Sequence, residues 1–133
     1  MPAIGAQIIR LHGVYDADAT MRGEVAYWIG ARLGRRHCSL CDITHGALRE
    51  KSEWRECRLG LPVPFDMHHR DDQPDAVRAA AAGVVPVVVA ETDVGILRLL
   101  GPTDLDACAG SPERLMAAIE QAAEGNSLRW NAD

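Results

Sequence analysis

The sequence predicts a single α/β domain of alternating strands and helices. Three observations lead to this prediction. Short apolar runs alternate along the chain with segments whose apolar residues recur at helical spacing. Proline and glycine mark the ends of both kinds of segment. The 133 residues, 47% hydrophobic and 25% charged, are enough to form one core without disulfides.

The chain begins with a predicted strand and a predicted helix. Ile8–Tyr15 is a short, mostly apolar run, typical of a strand that is buried on both faces. Asp16 and Asp18 follow it, and capping of a helix is their simplest role. Apolar residues then recur at helical spacing over residues 21–33, and Gly34 ends that helix.

The middle of the chain is less regular. A short charged helix is expected over Ala47–Glu56 and a second strand over Val63–His69. Pro74 occupies a first helical position, and the helix that it opens stops at Gly83. We interpret residues 35–60 as an insertion between the first helix and the second strand.

The last third has the clearest pattern. A strand over Val84–Ala90 is predicted to form a hairpin with Ile96–Leu100. Ser111-Pro112-Glu113 then opens a helix with a cap, a proline and an acidic first turn. The predicted domain covers residues 1–126, and residues 127–133 are expected to form a loose tail.

Composition excludes several classes of function. The net charge is −5 and no basic stripe stands out, which argues against nucleic acid as a partner. No apolar run approaches the roughly 20 residues of a membrane-spanning helix, and the chain lacks the pattern of a signal peptide. We therefore expect a cytoplasmic protein without a membrane partner, whose four cysteines are mostly reduced.

One segment carries most of the chemistry, and it reads Arg35-Arg36-His37-Cys38-Ser39-Leu40-Cys41-Asp42-Ile43-Thr44-His45-Gly46. Two thiols stand two residues apart, with imidazoles on both sides and two guanidinium groups upstream. A thiolate attacks disulfides and binds soft metals, and nearby positive charge favours the thiolate. The segment therefore predicts either thiol chemistry or metal binding.

Under the redox interpretation, Cys38 is the attacking thiol and Cys41 the resolving thiol. A helix that begins near Cys41 would add its N-terminal partial charge in favour of the thiolate. His45 lies four residues beyond Cys41, on the same face if that turn is helical, and serves as a proton acceptor. The expected partner is a protein disulfide or a small thiol.

Under the metal interpretation, the same three side chains supply three of the four ligands of a tetrahedral zinc ion. Cys57 is the candidate fourth ligand, and His37, His68 and His69 are alternatives. Zinc is accordingly a candidate cofactor, and no other cofactor is predicted. A third interpretation is an adaptor protein whose cysteine loop contacts a partner.

Other titratable residues have simpler explanations. Cys108 stands alone and is expected to be a small core residue. His12, inside the first strand, is more typical of a hydrogen-bonded structural histidine than of a catalyst. His68 and His69 are neighbours on a strand, so at most one of them is expected to face any site.

The order of elements, β–α–insertion–β–α–β–β–α, resembles that of the thioredoxin-like fold, which implies a three-layer α/β/α arrangement with a mixed sheet. Val85-Pro86-Val87 is similar to the point in that fold where a cis-proline starts the third strand beside the active site. The resemblance implies a cis Val85–Pro86 bond and a place for Pro86 beside the reactive thiols. Tyr15-Asp16-Ala17-Asp18 and Cys38–Gly46 also resemble two motifs of a small bacterial family of thioredoxin-like proteins.

One feature departs from that family pattern. In thioredoxins the Cys-x-x-Cys lies at the junction of the first strand and its helix. Here that junction is Tyr15–Asp18, without sulfur, and the cysteines come one helix later. The sequence thus predicts dithiol–disulfide exchange from an inserted loop.

Overall fold

The computed structural model describes residues 6–16, 40, 43 and 51–130. Within them the chain forms five strands and four helices. The strands are β1 (Gln7–Val14), β2 (Phe65–His68), β3 (Val87–Thr92), β4 (Gly95–Leu100) and β5 (Arg129–Trp130). The helices are α1 (Ser52–Leu59), α2 (Asp75–Ala81), α3 (Pro102–Ala107) and α4 (Pro112–Gly125).

The strands form one mixed sheet in the order β2-β1-β3-β4. β1 is parallel to β2, and β3 is antiparallel to both β1 and β4. β5 adds a short parallel pairing at the start of β1, where Gln7 is opposite Arg129. The prediction of a mixed α/β domain is therefore confirmed.

The apolar residues of the sheet pack on both of its faces. On one face, a large hydrophobic cluster joins the sheet to α1, α3 and α4 through Trp54, Leu105, Leu115 and Ile119. On the other face, Val77 and Ala81 of α2 cover Val14, Val87 and Val89. The sheet therefore lies between two helical layers, because each face carries apolar side chains that only another element can bury.

A register shift in β1 decides which side chains face which layer. Side chains alternate between faces along a regular strand, so Ile8 and Leu11 would lie on opposite faces. The pairing with β3 shifts register between Ile8 and Arg10, and both Ile8 and Leu11 belong to the large cluster. The shift therefore places Arg10 and His12 on the α2 face.

Several elements follow the sequence prediction closely. The Ser111 hydroxyl accepts a hydrogen bond from the Arg114 backbone N–H at 3.2 Å, which is the predicted cap of α4. The β3–β4 hairpin is tighter than predicted, with only Asp93 and Val94 in its turn. Gly95 has a φ of +152°, a conformation that favours glycine.

Other elements differ from the prediction. α3 was not expected, and it forms because Leu105 is buried while the Asp104 carboxylate accepts the Gly101 N–H at 2.9 Å. α1 extends three residues beyond Glu56. Within the segment predicted as a tail, Leu128 is buried and residues 129–130 pair with β1.

The start of β3 has the feature that the family resemblance implies. The Val85–Pro86 peptide bond is cis, and the strand begins at Val87 rather than at Val84. Val87 pairs with Val14, so buried Pro86 lies beside the carboxyl end of β1.

The helix predicted over residues 21–33 and most of the predicted insertion lie outside the described residues. In the part of the chain that the structure describes, no helix has the length and apolar character needed to cross a membrane.

Candidate functional site

A cluster of polar side chains lies on the α2 face of the sheet, beside the apolar residues that α2 covers. We call it the polar cluster, and its members are Arg10, His12, Asp66, His68 and Glu91. The strand register brings them together, because His12 is opposite Asp66 on β2 and Arg10 is opposite Glu91 on β3. Directly paired residues lie on the same face of a sheet.

His12 is the centre of the polar cluster. Its side chain is only 7% exposed, and both ring nitrogens have partners. Nε2 lies 2.9 Å from the Glu91 Oε1, and Nδ1 lies 2.9 Å from the His68 Nε2. Because a carboxylate oxygen can only accept, the geometry places a proton on the His12 Nε2. The expectation of a buried, hydrogen-bonded histidine is confirmed.

The contact between His12 and His68 is edge to edge. The ring planes differ by 22° and the centroids lie 5.2 Å apart. The two nitrogens are separated by only 2.9 Å, so the rings meet through these atoms and not face to face. When His12 is neutral, its Nδ1 carries a lone pair that accepts the N–H of His68. The chain Glu91–His12–His68 therefore fixes the tautomer of both rings.

Burial favours the neutral form of His68. Loss of solvent lowers the pKa of His68 below 6.5, and His12 lowers it further, while Asp66 and Asp72 act in the opposite direction. A neutral imidazole has one nitrogen lone pair, which can accept a proton or bind a metal ion. His68 thus adds a nitrogen donor to the cluster.

Asp66 adds a carboxylate at the rim of the cluster. Its Oδ2 accepts a hydrogen bond from the Arg10 Nη1 at 2.6 Å, and both side chains are partly exposed. Exposed ion pairs of this kind stabilise a protein by less than about 1 kcal/mol. His12, Asp66 and His68 each offer one ligand atom, and these three atoms lie within 4.8 Å of one another.

A second group of contacts joins the carboxyl ends of β1 and β2. The ring of Tyr15 packs against His69 with centroids 5.4 Å apart. Asp16 accepts a hydrogen bond from Arg70 at 3.2 Å. The Tyr15-Asp16 junction is thereby joined to the segment that follows β2. The residues that Asp16 would cap lie outside the described part of the chain.

The predicted thiol residues Cys38, Cys41 and His45 also lie outside the described residues, as does His37. Two neighbours of the thiols are described. Leu40, which stands between the two cysteines, and Ile43 are both fully buried in the large hydrophobic cluster.

Cys57, the predicted fourth zinc ligand, lies on α1 and is partly buried. Burial raises the pKa of its thiol, and the carboxylates of Glu113 and Glu56 raise it further. Cys57 is therefore a neutral thiol at neutral pH. Among residues 6–16 and 51–130, the group of side chains close enough to share a metal ion does not include Cys57 or His69.

Cys108 is a core residue, as predicted. It is buried at the end of α3, and its Sγ donates to the Asp104 carbonyl oxygen at 3.5 Å. Burial raises the pKa of this thiol too. Cys108 therefore contributes packing and not a reactive thiolate.

No family model, no curated protein sequence and no solved structure matches this chain. The candidate residues are accordingly assigned from this chain's own sequence and geometry.

The polar cluster is the feature that sequence reasoning missed. Arg10 and His12 on β1, and Asp66 and His68 on β2, show polar residues at the period of two that places both on one face of a strand. That signal was present in the sequence. The pairing of the two strands was not, because 56 positions separate His12 from His68.

Proposed function

We propose that this protein is a thioredoxin-like dithiol–disulfide exchange protein whose reactive thiols are Cys38 and Cys41. The sheet topology carries the proposal. We equate parallel β1 and β2 with the βαβ half of a thioredoxin-like domain, and β3, β4 and α4 with its ββα half. Fold similarity alone does not establish activity, so the chemistry depends on the thiol segment.

The burial of Leu40 supports the proposal that the thiol segment belongs to the domain. A residue in a peripheral loop rarely loses all of its exposed surface, yet Leu40 and Ile43 both do. They share their hydrophobic cluster with Tyr15, at the carboxyl end of β1. Pro86, which comes opposite Tyr15 when the register of β3 against β1 is continued by one residue, is proposed to lie beside the thiols because the resemblance to the thioredoxin-like fold implies that place.

The proposed reaction transfers two electrons to a substrate disulfide. The Cys38 thiolate attacks one sulfur, so that a mixed disulfide forms and the first substrate thiolate leaves. The Cys41 thiol loses its proton to a base, for which His45 is the candidate, and attacks the Cys38 sulfur. The second substrate thiolate leaves, and the protein retains a Cys38–Cys41 disulfide. An external dithiol returns the protein to its reduced form.

The experiment compares reduction of a protein disulfide, driven by dithiothreitol, by the wild type and two serine variants. Cys38→Ser should abolish the acceleration, because no attacking thiolate remains. Cys57→Ser is the matched control and should retain it. Full activity in Cys38→Ser would refute the mechanism.

The same variant tests the zinc alternative. If the segment holds structural zinc, the wild type is purified with one zinc per chain. Cys38→Ser then loses that zinc and melts at a lower temperature, because binding free energy is partly folding free energy. If the variant loses zinc in this way and the wild type does not reduce disulfides, metal binding becomes the proposed function in place of disulfide exchange.

A further inference from the structure

We propose that His12, His68 and Asp66 form a binding site for a divalent transition-metal ion, with Glu91 as the partner that orients His12. This site is separate from the thiols and does not depend on the exchange reaction. Two imidazoles and one carboxylate, with the remaining positions open, form a donor set typical of zinc and of other first-row divalent metals.

The spacing of the two imidazoles fits a shared metal ion. With metal–nitrogen bonds of about 2.0–2.1 Å and tetrahedral angles, two bound imidazoles have ring centroids about 5.2 Å apart. The rings of His12 and His68 already have this separation of 5.2 Å. The two nitrogens lie 2.9 Å apart, so once the His68 Nε2 has lost its proton the rings need only rotate until both lone pairs converge on the ion.

Glu91 supplies the outer contact that metal-bound histidines usually have. A ligating histidine donates its other N–H to a carboxylate or carbonyl group, which fixes the tautomer and makes the ligand nitrogen more basic. The His12 Nε2 makes this contact with Glu91 at 2.9 Å, which leaves Nδ1 as the donor atom. When the metal enters, the His68 Nε2 releases the proton that it donates to His12 and the His68 Nδ1 takes one up, so the His68 ring stays neutral and its Nε2 gains a lone pair.

Charge also favours a cation at this position. The carboxylates of Asp66 and Glu91 face the two imidazoles, and Arg10 is the cation that opposes them through its ion pair with Asp66. That pair is partly exposed, so little free energy is lost when Asp66 turns to a metal ion. A divalent ion would then be surrounded by two carboxylates and two neutral rings.

The experiment uses Co²⁺ as the probe, because its visible absorption reports on its ligands. Titration is performed on the 133-residue chain carrying Cys38→Ser and Cys41→Ser, so that the two thiols offer no ligand to the metal. We expect one equivalent of Co²⁺ to bind, with visible bands and no thiolate-to-cobalt charge transfer. Zn²⁺ should displace it.

Further substitutions in the same background separate ligands from structural residues. His68→Gln should abolish Co²⁺ binding, whereas His69→Gln, the neighbouring control, should retain it. Glu91→Gln should weaken binding about 10–100-fold. Arg10→Gln should tighten it, because the competing cation is gone. Circular dichroism confirms that each variant is folded.

Two results would overturn the proposal. One is that the double-serine variant binds neither Co²⁺ nor Zn²⁺. The other is that binding survives in His68→Gln with unchanged affinity. Either result would leave His12 and His68 as a hydrogen-bonded pair alone, whatever the outcome of the disulfide assay.

Discussion

The Nδ1 of His12 lies 2.9 Å from the Nε2 of His68, although the two histidines are 56 positions apart in sequence and lie on neighbouring parallel strands. This contact is fixed by register, since Val14 is opposite His68 and His12 is opposite Asp66. A shift of β2 by one residue would turn His68 toward the other face of the sheet. The polar cluster therefore depends on how β1 and β2 align.

The first prediction concerns pH and His68. Its pKa is lowered below 6.5 in the folded protein, by burial first and by His12 second. Below pH 6.5 the unfolded chain therefore binds more protons at this site than the folded protein does. The contribution of His68 to the free energy of unfolding is therefore complete above pH 6.5, and it is lost as the pH falls through the lowered pKa of the folded protein.

Thermal denaturation between about pH 5 and pH 7.5, in the presence of a chelator, measures this effect. His68→Gln should show a shallower fall of melting temperature on acidification than the wild type. Met67→Leu, a substitution at the preceding residue, is the control and should keep the wild-type slope. An unchanged slope in His68→Gln would contradict the prediction.

The second prediction concerns Leu40, which links the thiol segment to the core. Leu40→Ala should lower the free energy of unfolding by about 2–5 kcal/mol, because the side chain is fully buried and leaves a cavity. Leu59→Ala is the matched control. Leu59 is 74% exposed, so its loss should cost less than about 0.5 kcal/mol. Urea denaturation measures both, and equal effects would show that Leu40 is not in the core.

The third prediction concerns Trp54. Its ring meets Phe65 edge to face, with centroids 5.1 Å apart and 86° between planes. Its Nε1 is buried and has no hydrogen-bond partner within the described part of the chain. Trp54→Ala should cost about 3–5 kcal/mol. Trp54→Phe keeps an aromatic contact and loses no hydrogen bond seen there, so urea denaturation should give it less than half that cost. Equal costs would contradict the packing role.

The fourth prediction concerns Gly13, in the middle of β1. A Cβ at this position would lie 2.7 Å from the Met67 Cε and 3.1 Å from the Phe65 Cε1. Because the Met67 Cε is the far end of a flexible side chain and can move aside, Gly13→Ala should destabilise the protein by only about 1 kcal/mol, at the low end of the cost of overpacking. At Gly125 a Cβ meets nothing within 4 Å, so Gly125→Ala should be neutral or slightly stabilising.

A double-mutant cycle tests the cause of the Gly13 effect. If the clash with Met67 dominates, Gly13→Ala should cost less in a Met67→Ala background than in the wild type. An identical cost in both backgrounds would assign the effect to Phe65 or to the backbone instead.

Local patterns were sufficient to predict the elements that local chemistry determines. The apolar run of β3 and the Ser111-Pro112 start of α4 each specify their structure within a few residues, and both are present. The short elements lack such a local pattern, so the sequence does not predict them. α3 has one fully buried residue, Leu105, and β5 has two residues, too few for a periodic signal.

The polar cluster could not be predicted, for a different reason. Each of its residues has an ordinary explanation when the strand is considered alone, and His12 was expected to be structural. Only the register of β1 against β2 and β3 joins His12 to His68 and Glu91. Register between strands so distant in sequence depends on packing of the whole sheet. The thiol prediction needs no such pairing, because both cysteines lie within four residues.

The central claim is that Cys38 and Cys41 act as one exchanging pair, and intact mass after treatment with oxidised glutathione tests it most directly. In a Cys57→Ser background, the protein should lose about 2 Da without an adduct, and dithiothreitol should reverse this. Adding Cys41→Ser should instead trap one glutathione on Cys38. A protein that keeps both thiols reduced, or that carries glutathione while Cys41 is present, would contradict the account.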